Sequence, residues 1–224
     1  MGELTALIAH EIKQPLAAIV TNGDFCLRQL ASSAPNLQEI REAVAEIVND
    51  GNRASLVIYG IRAMLMKSAP DLVEVYINDL IQEVIHFVRQ EIEQNNISLR
   101  IDLAAGLPPV LGDRVQLQQV LINVVMNGIE AMRTITDRLR EILIKAVNTP
   151  EGVHIQIQDS GPGLDSNAAD RIFEPFFTTK AEGVGLGLSI SRSIVESHGG
   201  RIWTTPSSLG ALFEITLSTN TGDA

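Results

Sequence analysis

The sequence predicts two units of different architecture: an α-helical hairpin that pairs into a dimeric four-helix bundle, then an α/β sandwich whose mixed sheet is covered on one face by helices. Three observations carry this. Up to about position 67, apolar residues recur at helical spacing. Beyond Pro70, four segments alternate apolar and polar residues at period two, with helical patterns between them. Aromatic residues make up 4% of the chain against 45% hydrophobic residues, a balance that suits helices on a covered sheet better than a β-sandwich.

The first helix runs to about Leu30 and carries the stripe Leu4, Ile8, Ile12, Ile19, Cys26 and Leu30. Residues 31–36 form a turn, with Asn36 as the N-cap of the second helix. That helix, from Leu37 to about Lys67, carries Ile40, Val44, Ile47, Ala54, Ile58, Ile61 and Leu65. A lone hairpin leaves its apolar seam open to water, which predicts dimerisation. The boundary falls near Ser68-Ala69-Pro70 and gives units of 1–68 and 69–224. In the second unit the alternating runs are Ile97 to Leu103, Ile142 to Val147, Val153 to Gln158 and Ala211 to Ser218. Helical patterns occupy 78–95, 113–134 and 186–198. His86 and His154 read as structural histidines, and His198, before two glycines, as a helix C-terminus favoured by the dipole.

Composition excludes several functions. The formal net charge is -10 with no block of five like charges, which argues against nucleic-acid binding and against an anionic membrane surface. Cys26 is the single cysteine, so there is neither a disulfide framework nor a thiolate metal cluster, and a reducing compartment fits. No apolar run approaches the roughly 18 residues that a membrane-spanning helix needs. The chain therefore reads as a cytoplasmic segment, and a longer, membrane-anchored parent is compatible with it.

Four stretches carry chemistry. In Leu7-Ile8-Ala9-His10-Glu11-Ile12-Lys13-Gln14-Pro15 the histidine lies about 160° from Ile8 and Ile12, so it points to water when they point inward. Such a histidine can be phosphorylated, bind metal, or do neither. The zincin pattern needs a second histidine where Gln14 stands, which removes that metal reading. Asn123, Asn127 and Glu130 share one helix face; their amides suit either Mg²⁺ or a buried hydrogen-bond network. Asp159-Ser160-Gly161-Pro162-Gly163 ends a strand in a glycine turn, where a carboxylate can accept from an adenine amino group or simply close a turn. Finally, Phe173 to Lys180 precedes Gly183-Val184-Gly185-Leu186-Gly187-Leu188, a glycine-rich entry to a helix whose N–H groups and dipole favour phosphate. It is neither a Walker loop nor a dinucleotide fingerprint.

In this order the motifs resemble the catalytic core of the sensor histidine kinases of two-component signalling. His10 to Pro15 resembles the phosphoacceptor H-box, Asn123 to Ala131 the N-box, Asp159 to Gly163 the G1 box, Phe173 to Phe177 the F-box and Gly183 to Leu188 the G2 box. Gly210-Ala211-Leu212-Phe213 fits the last glycine-containing strand entry.

The resemblance implies ATP and Mg²⁺ as cofactors, with Asn127 on the metal and Asn123 supporting it. Asp159 would read the adenine amino group, and Gly161 and Gly163 would make room for the base. Gly183, Gly185, Leu186, Gly187 and Leu188 would form the lid over the phosphates, with Lys180 nearby. His10 would take the γ-phosphoryl group and Glu11 would set its tautomer. Gln14 occupies the phosphatase position, where many relatives carry Thr or Asn to place a hydrolytic water, and this departure argues against phosphatase activity toward the partner. The implied partners are a second copy of the chain, a response regulator receiver domain, and an upstream sensor domain. Nine residues before His10 are too few for that sensor, so the chain reads as a piece of a longer kinase.

Three features modify the expectation. Pro15 removes the hydrogen bond to the Glu11 carbonyl and predicts a bend after the reactive residue. Gly128 stands where alanine is usual, and Glu130 where some relatives are basic. Two alternatives compete. A hydrolysing relative of the gyrase and Hsp90 ATPases carries a glutamate four residues before the metal asparagine, where this chain has Asn123. A degenerate scaffold would have lost Asn127, Asp159 or the lid glycines, all of which are present.

Overall fold

The computed structural model describes residues 2–65, 72–165, 169, 171–178, 185–207 and 209–219; the side chains of residues 2–12, 49, 52, 53 and 55–65 lie outside that description. The chain divides into two compact units, Met1–Lys67 and Ser68–Ala224.

The first unit is a hairpin of α1 (Gly2–Leu30) and α2 (Leu37–Leu65). Asn36 caps α2 as expected: its Oδ1 accepts from the N–H groups of Gln38 and Glu39 at 3.1 and 3.3 Å. Helix α1 continues through Pro15, which is buried, so the proline does not end it. Cys26, Ala43 and Ala54 are buried, and the Cys26 thiol lies 3.7 Å from the Ile40 carbonyl of the opposite helix. Leu30 and Val44 are exposed in the single hairpin, as a seam left open for a second copy would be. Leu16, Val20, Leu27 and Leu30, at i, i+4, i+11 and i+14, leave a second apolar stripe of α1 open to water, matched on α2 by Leu37, Val44 and Val48. The side chains of the stripe positions Leu4, Ile8, Ile12, Ile58, Ile61 and Leu65 lie outside the described residues.

The second unit is a two-layer α/β sandwich. Its order is β1 (Val73–Val75), α3 (Ile77–Gln94), β2 (Ile97–Leu103), β3 (Val110–Gly112), α4 (Arg114–Met132), β4 (Arg140–Thr149), β5 (Gly152–Asp159), α5 (Gly187–Ser197), β6 (Arg201–Thr205) and β7 (Leu212–Leu217). Five strands pair in the order β2-β4-β5-β7-β6; the β2–β4 pair is parallel and the rest are antiparallel. The alternation in the sequence sets the inner face: Ile142, Ile144 and Ala146, Val153, Ile155 and Ile157, and Phe213, Ile215 and Leu217 are all buried. Against them pack Leu80, Ile81, Val84 and Val88 of α3, Val120, Leu121, Val124 and Ile129 of α4, and Ile190, Ile194 and Val195 of α5. Ile101 departs from the pattern and is exposed, since β2 is an edge strand with no neighbour beyond it. The opposite face is polar: Glu214 there accepts from Thr205 and Gln156, with His154 Nε2 at 2.9 Å and the His154 ring stacked on Trp203. Burial opposes ionisation of Glu214, but these partners outweigh it and hold the carboxyl below the usual range.

His198 corrects a second expectation. It does sit at the C-terminal end of α5, yet it is not a dipole-stabilised cation. The Asp113 N–H donates to His198 Nε2 at 2.9 Å, so Nδ1 must carry the proton, which it shares with the Ile194 carbonyl at 2.7 Å. A neutral, buried imidazole thus fastens the end of α5 to the start of α4. His198→Phe keeps the bulk and removes the acceptor, leaving the Asp113 N–H unpaired. A loss of about 1–3 kcal/mol in urea unfolding is expected; an unchanged midpoint would show that the clasp contributes nothing.

Candidate functional site

The site is organised by α4, which touches two other elements of the second unit. At position 123 the Asn side chain donates to Ser191 Oγ at 3.0 Å, and a Cβ added to Gly187 would meet Asn123 Oδ1 at 2.6 Å, so this turn abuts the start of α5. Five residues on, about 7.5 Å along the axis, Gly128 abuts Asp159: a Cβ there would lie 3.2 Å from the Asp159 Cβ and 3.5 Å from its Oδ2. The glycine costs up to about 1 kcal/mol of helix propensity, and a Cβ in its place would press on the Asp159 side chain by a few tenths of an ångström. Asn127 and Glu130 are half-buried on the face that Asn123 defines.

Asp159 is buried, yet its Oδ1 is satisfied by two backbone donors, the N–H groups of Gly161 at 2.8 Å and Ala211 at 3.2 Å. Crowding by backbone demands glycine around it. A Cβ at Gly161 would meet Asp159 Oδ1 at 2.8 Å and Ala131 Cβ at 3.3 Å, and one at Gly210, where φ is +70°, would strike the Asp159 carbonyl. Gly163 meets Gly210 in the same way, its added Cβ falling 3.3 Å from the Gly210 carbonyl. Burial pushes the Asp159 carboxyl above its ordinary range, and the two N–H groups only partly counter this. The turn is anchored from behind by Ser160, whose Oγ accepts from the Glu141 N–H at 2.8 Å, and by Arg138, which donates to the Ser160 and Gly161 carbonyls.

Helix α5 begins at Gly187 after Leu186, which has no side chain able to cap it; the first N–H groups of any helix lack intrahelical acceptors, and such a start suits an anion. Leu186 is buried and Leu188 packs against the core, which fixes the helix start from below. Gly185 has φ +70°, and its carbonyl accepts from the Phe176 N–H at 2.9 Å, tying the F-box to the glycine-rich segment. Phe173 is buried edge-on against Phe213 under the Arg192 guanidinium, whereas Phe176 is exposed with φ +68°.

Of the expected site residues, the structure gathers Asn123, Asn127, Asp159, Gly161, Gly163, Gly185, Leu186, Gly187 and Leu188 in one unit around α4. Lys180 and Gly183 lie outside the described residues, as do the side chains of His10 and Glu11, whose backbone is helical in α1. Gln14 is exposed one turn beyond His10. Among the described residues there is no cluster of three or more His, Cys, Asp or Glu able to hold a metal. The donor set on α4 is of the amide type, which suits Mg²⁺ that keeps waters and shares phosphate oxygens. Sequence reasoning missed Arg138 and Ser191, neither of which lies in a motif, and the parts that Ser160 Oγ and the Ala211 N–H play within theirs.

A phosphoacceptor-type hairpin followed by a nucleotide-type sandwich defines a class, and the comparisons give the family. The model for the His Kinase A (phospho-acceptor) domain matches residues 1–91, and that for the Histidine kinase-, DNA gyrase B-, and HSP90-like ATPase matches residues 112–221. The chain belongs to the sensor histidine kinases, as their catalytic core. It is 36% identical over 220 residues to the sensor histidine kinase TmoS of Ectopseudomonas mendocina, covering 97% of this chain and 23% of that protein. To the sensor protein FixL of Bradyrhizobium diazoefficiens it is 37% identical, over 97% of this chain and 43% of that one. It thus spans less than half the length of either relative. Among solved structures, the catalytic domain of histidine kinase ThkA is 36% identical with a TM-score of 0.60, covering 66% of this chain and 96% of that one. ThkA in complex with response regulator protein TrrA superposes at a TM-score of 0.67 with 30% identity, over 100% of this chain and 63% of that one.

The Asp159 environment makes a stability prediction. A carboxyl whose folded pKa is raised contributes stability that is present below the unfolded pKa and lost as pH rises through the folded one. Asp159→Asn keeps the Oδ1 acceptor and removes the charge. Its thermal midpoint is expected to equal or exceed that of the unaltered protein at pH 8, with the difference shrinking toward pH 4. A variant clearly less stable at pH 8 would mean that ionised Asp159 is a net stabiliser.

Proposed function

We propose that this chain catalyses ATP-dependent phosphorylation of His10 and then passes the phosphoryl group to an aspartate of a response regulator receiver domain. Residues 1–68 act as the dimerisation and phosphoacceptor domain and 69–224 as the ATP-binding domain. The observation that carries the reading is the convergence on α4 of a buried carboxylate, an asparagine face and a glycine-rich helix start, in a chain whose other half is a phosphoacceptor hairpin.

The roles follow from the chemistry. Ionised Asp159, with Oδ1 already taken by backbone donors, has Oδ2 left to accept from the adenine amino group. The N–H groups opening α5, with Gly185, Gly187 and Leu188 around them and Gly183 and Lys180 ahead, receive the phosphates. Asn127, with Asn123 behind it, would hold Mg²⁺, whose charge would offset that of the phosphates. A ring nitrogen of His10 attacks the γ-phosphorus, the bond to the ADP oxygen breaks, and ADP departs. Glu11 holds the other ring nitrogen and keeps the attacking one unprotonated. The second transfer exchanges the nitrogen–phosphorus bond for an acyl phosphate on the partner and returns His10 to its resting state. Gln14, exposed beside that helix surface, is the position at which reversal of the signal is set.

The open apolar stripes on α1 and α2 support a homodimer, in which two hairpins close one four-helix bundle. No helix of the described residues is long and apolar enough to cross a membrane, which is compatible with a catalytic core working in the ATP-supplied cytoplasm under a sensor domain elsewhere in the parent.

Incubation with radiolabelled Mg·ATP tests the reaction. Acid-labile, alkali-stable label is expected on the unaltered chain and absent from His10→Gln and Asn127→Ala; label surviving in His10→Gln would refute the assignment. Val20→Lys with Leu27→Lys places charge on the α1 stripe. Light scattering is expected to find a dimer for the unaltered chain and a monomer for this variant; two species of equal mass would place the dimer contact elsewhere.

A further inference from the structure

The Ser160–Gly161 peptide unit is held at both ends. Its N–H donates to Asp159 Oδ1 at 2.8 Å. Its carbonyl oxygen, that of Ser160, accepts from Arg138 Nε at 3.2 Å, and the next carbonyl, that of Gly161, accepts from Arg138 Nη2 at 2.6 Å. From this geometry we infer that Arg138 is a positioning residue for base selection, acting on Asp159 through a single peptide group. The inference rests on the nucleotide reading above and assigns a residue that the motifs do not include.

Arg138 can act on this peptide group by rigidity and by polarisation. Position 160 is already fixed: Ser160 donates its N–H to the Glu141 carbonyl at 3.0 Å and accepts the Glu141 N–H on its Oγ at 2.8 Å. Residue 161 is a glycine between two peptide planes, with no side chain to hold it, and among the described residues it supplies one of the two donors that orient the Asp159 carboxylate. The guanidinium spans both planes with two nitrogens of one rigid fork, which a lysine, a single point charge, cannot reproduce. A cation on the oxygen of an amide also strengthens donation from the same amide's N–H, because hydrogen bonds in a chain polarise one another. Arg138 thus sets both where the Gly161 N–H points and how strongly it grips Oδ1, leaving Oδ2 in a defined position. Arg138 itself is exposed, in the connection from α4 to β4, so the global core does not depend on it.

The test measures autophosphorylation of the full chain against Mg·ATP and Mg·GTP concentration for Arg138→Ala and Arg138→Lys. For Arg138→Ala the KM for ATP is expected to rise about fivefold, with kcat within about twofold and a smaller ratio of kcat/KM for ATP over GTP. Arg138→Lys should fall between. The thermal midpoint should move by no more than a few degrees, as for other exposed positions. An unchanged KM and base preference in Arg138→Ala would overturn the inference. So would a fall in kcat that simply tracks lost thermal stability in both variants, since that marks a structural role alone. An unaltered chain that fails to bind either nucleotide would overturn the nucleotide reading itself, and this inference with it.

Discussion

A carboxylate can be removed from water only if other donors replace the solvent, and the second unit is arranged around one such group. Asp159 ends the central strand of the sheet, and its Oδ1 is met by backbone N–H groups from its own turn and from the entry to β7. Backbone donors of this kind reach a carboxylate only where side chains are missing. That single requirement accounts for glycine at 161 and 210, and the glycine at 128 packs directly against the same side chain. Three glycines far apart in sequence thus serve one acid. Burial still raises its pKa, so the protein keeps at its centre a group that would be more stable uncharged, as expected of a residue retained for binding rather than for stability.

The rest of the unit holds α4 and α5 in register with that acid. Asn123 and Ser191 join the helices near the start of α5, and neutral His198 joins them again from its end. Arg140 closes the other side, donating to the carbonyls of Ile135, Asn95 and Arg133 where α3 and α4 finish. These contacts are polar and directional, and they lie at helix ends where backbone groups lack intrahelical partners. The apolar core sets the distance between layers; the polar clasps set the axial positions on which a three-part site depends.

Much of this was legible in the sequence, for physical reasons that differ by element. The strands Arg140–Thr149, Gly152–Asp159 and Leu212–Leu217 are flanked on both sides in the sheet, so one face is buried along their length and the period-two signal is clean. Strands Val73–Val75 and Val110–Gly112 are three residues each, too short to show a period, and Arg201–Thr205 is an edge strand whose inward residues alternate with Trp and Thr. In the hairpin, hydrophobicity alone does not say which of two apolar stripes faces the opposite helix and which, like Leu30 and Val44, stays open in the single chain. The motif residues of the site were legible as motifs. Their supports were not: the Arg138 clamp, the His198 tautomer and the fit of Gly128 against Asp159 each depend on a partner more than twenty residues away.

The central claim is that ionised Asp159 selects the base. Isothermal titration of Mg·ATP and Mg·GTP into the unaltered chain and into Asp159→Asn at pH 8 tests it most directly. An acceptor replaced by an amide donor should cost ATP at least about tenfold in affinity, as for a lost hydrogen bond to a charged group, and should leave GTP equal or better bound. Equal affinities for ATP in the two proteins would contradict the account.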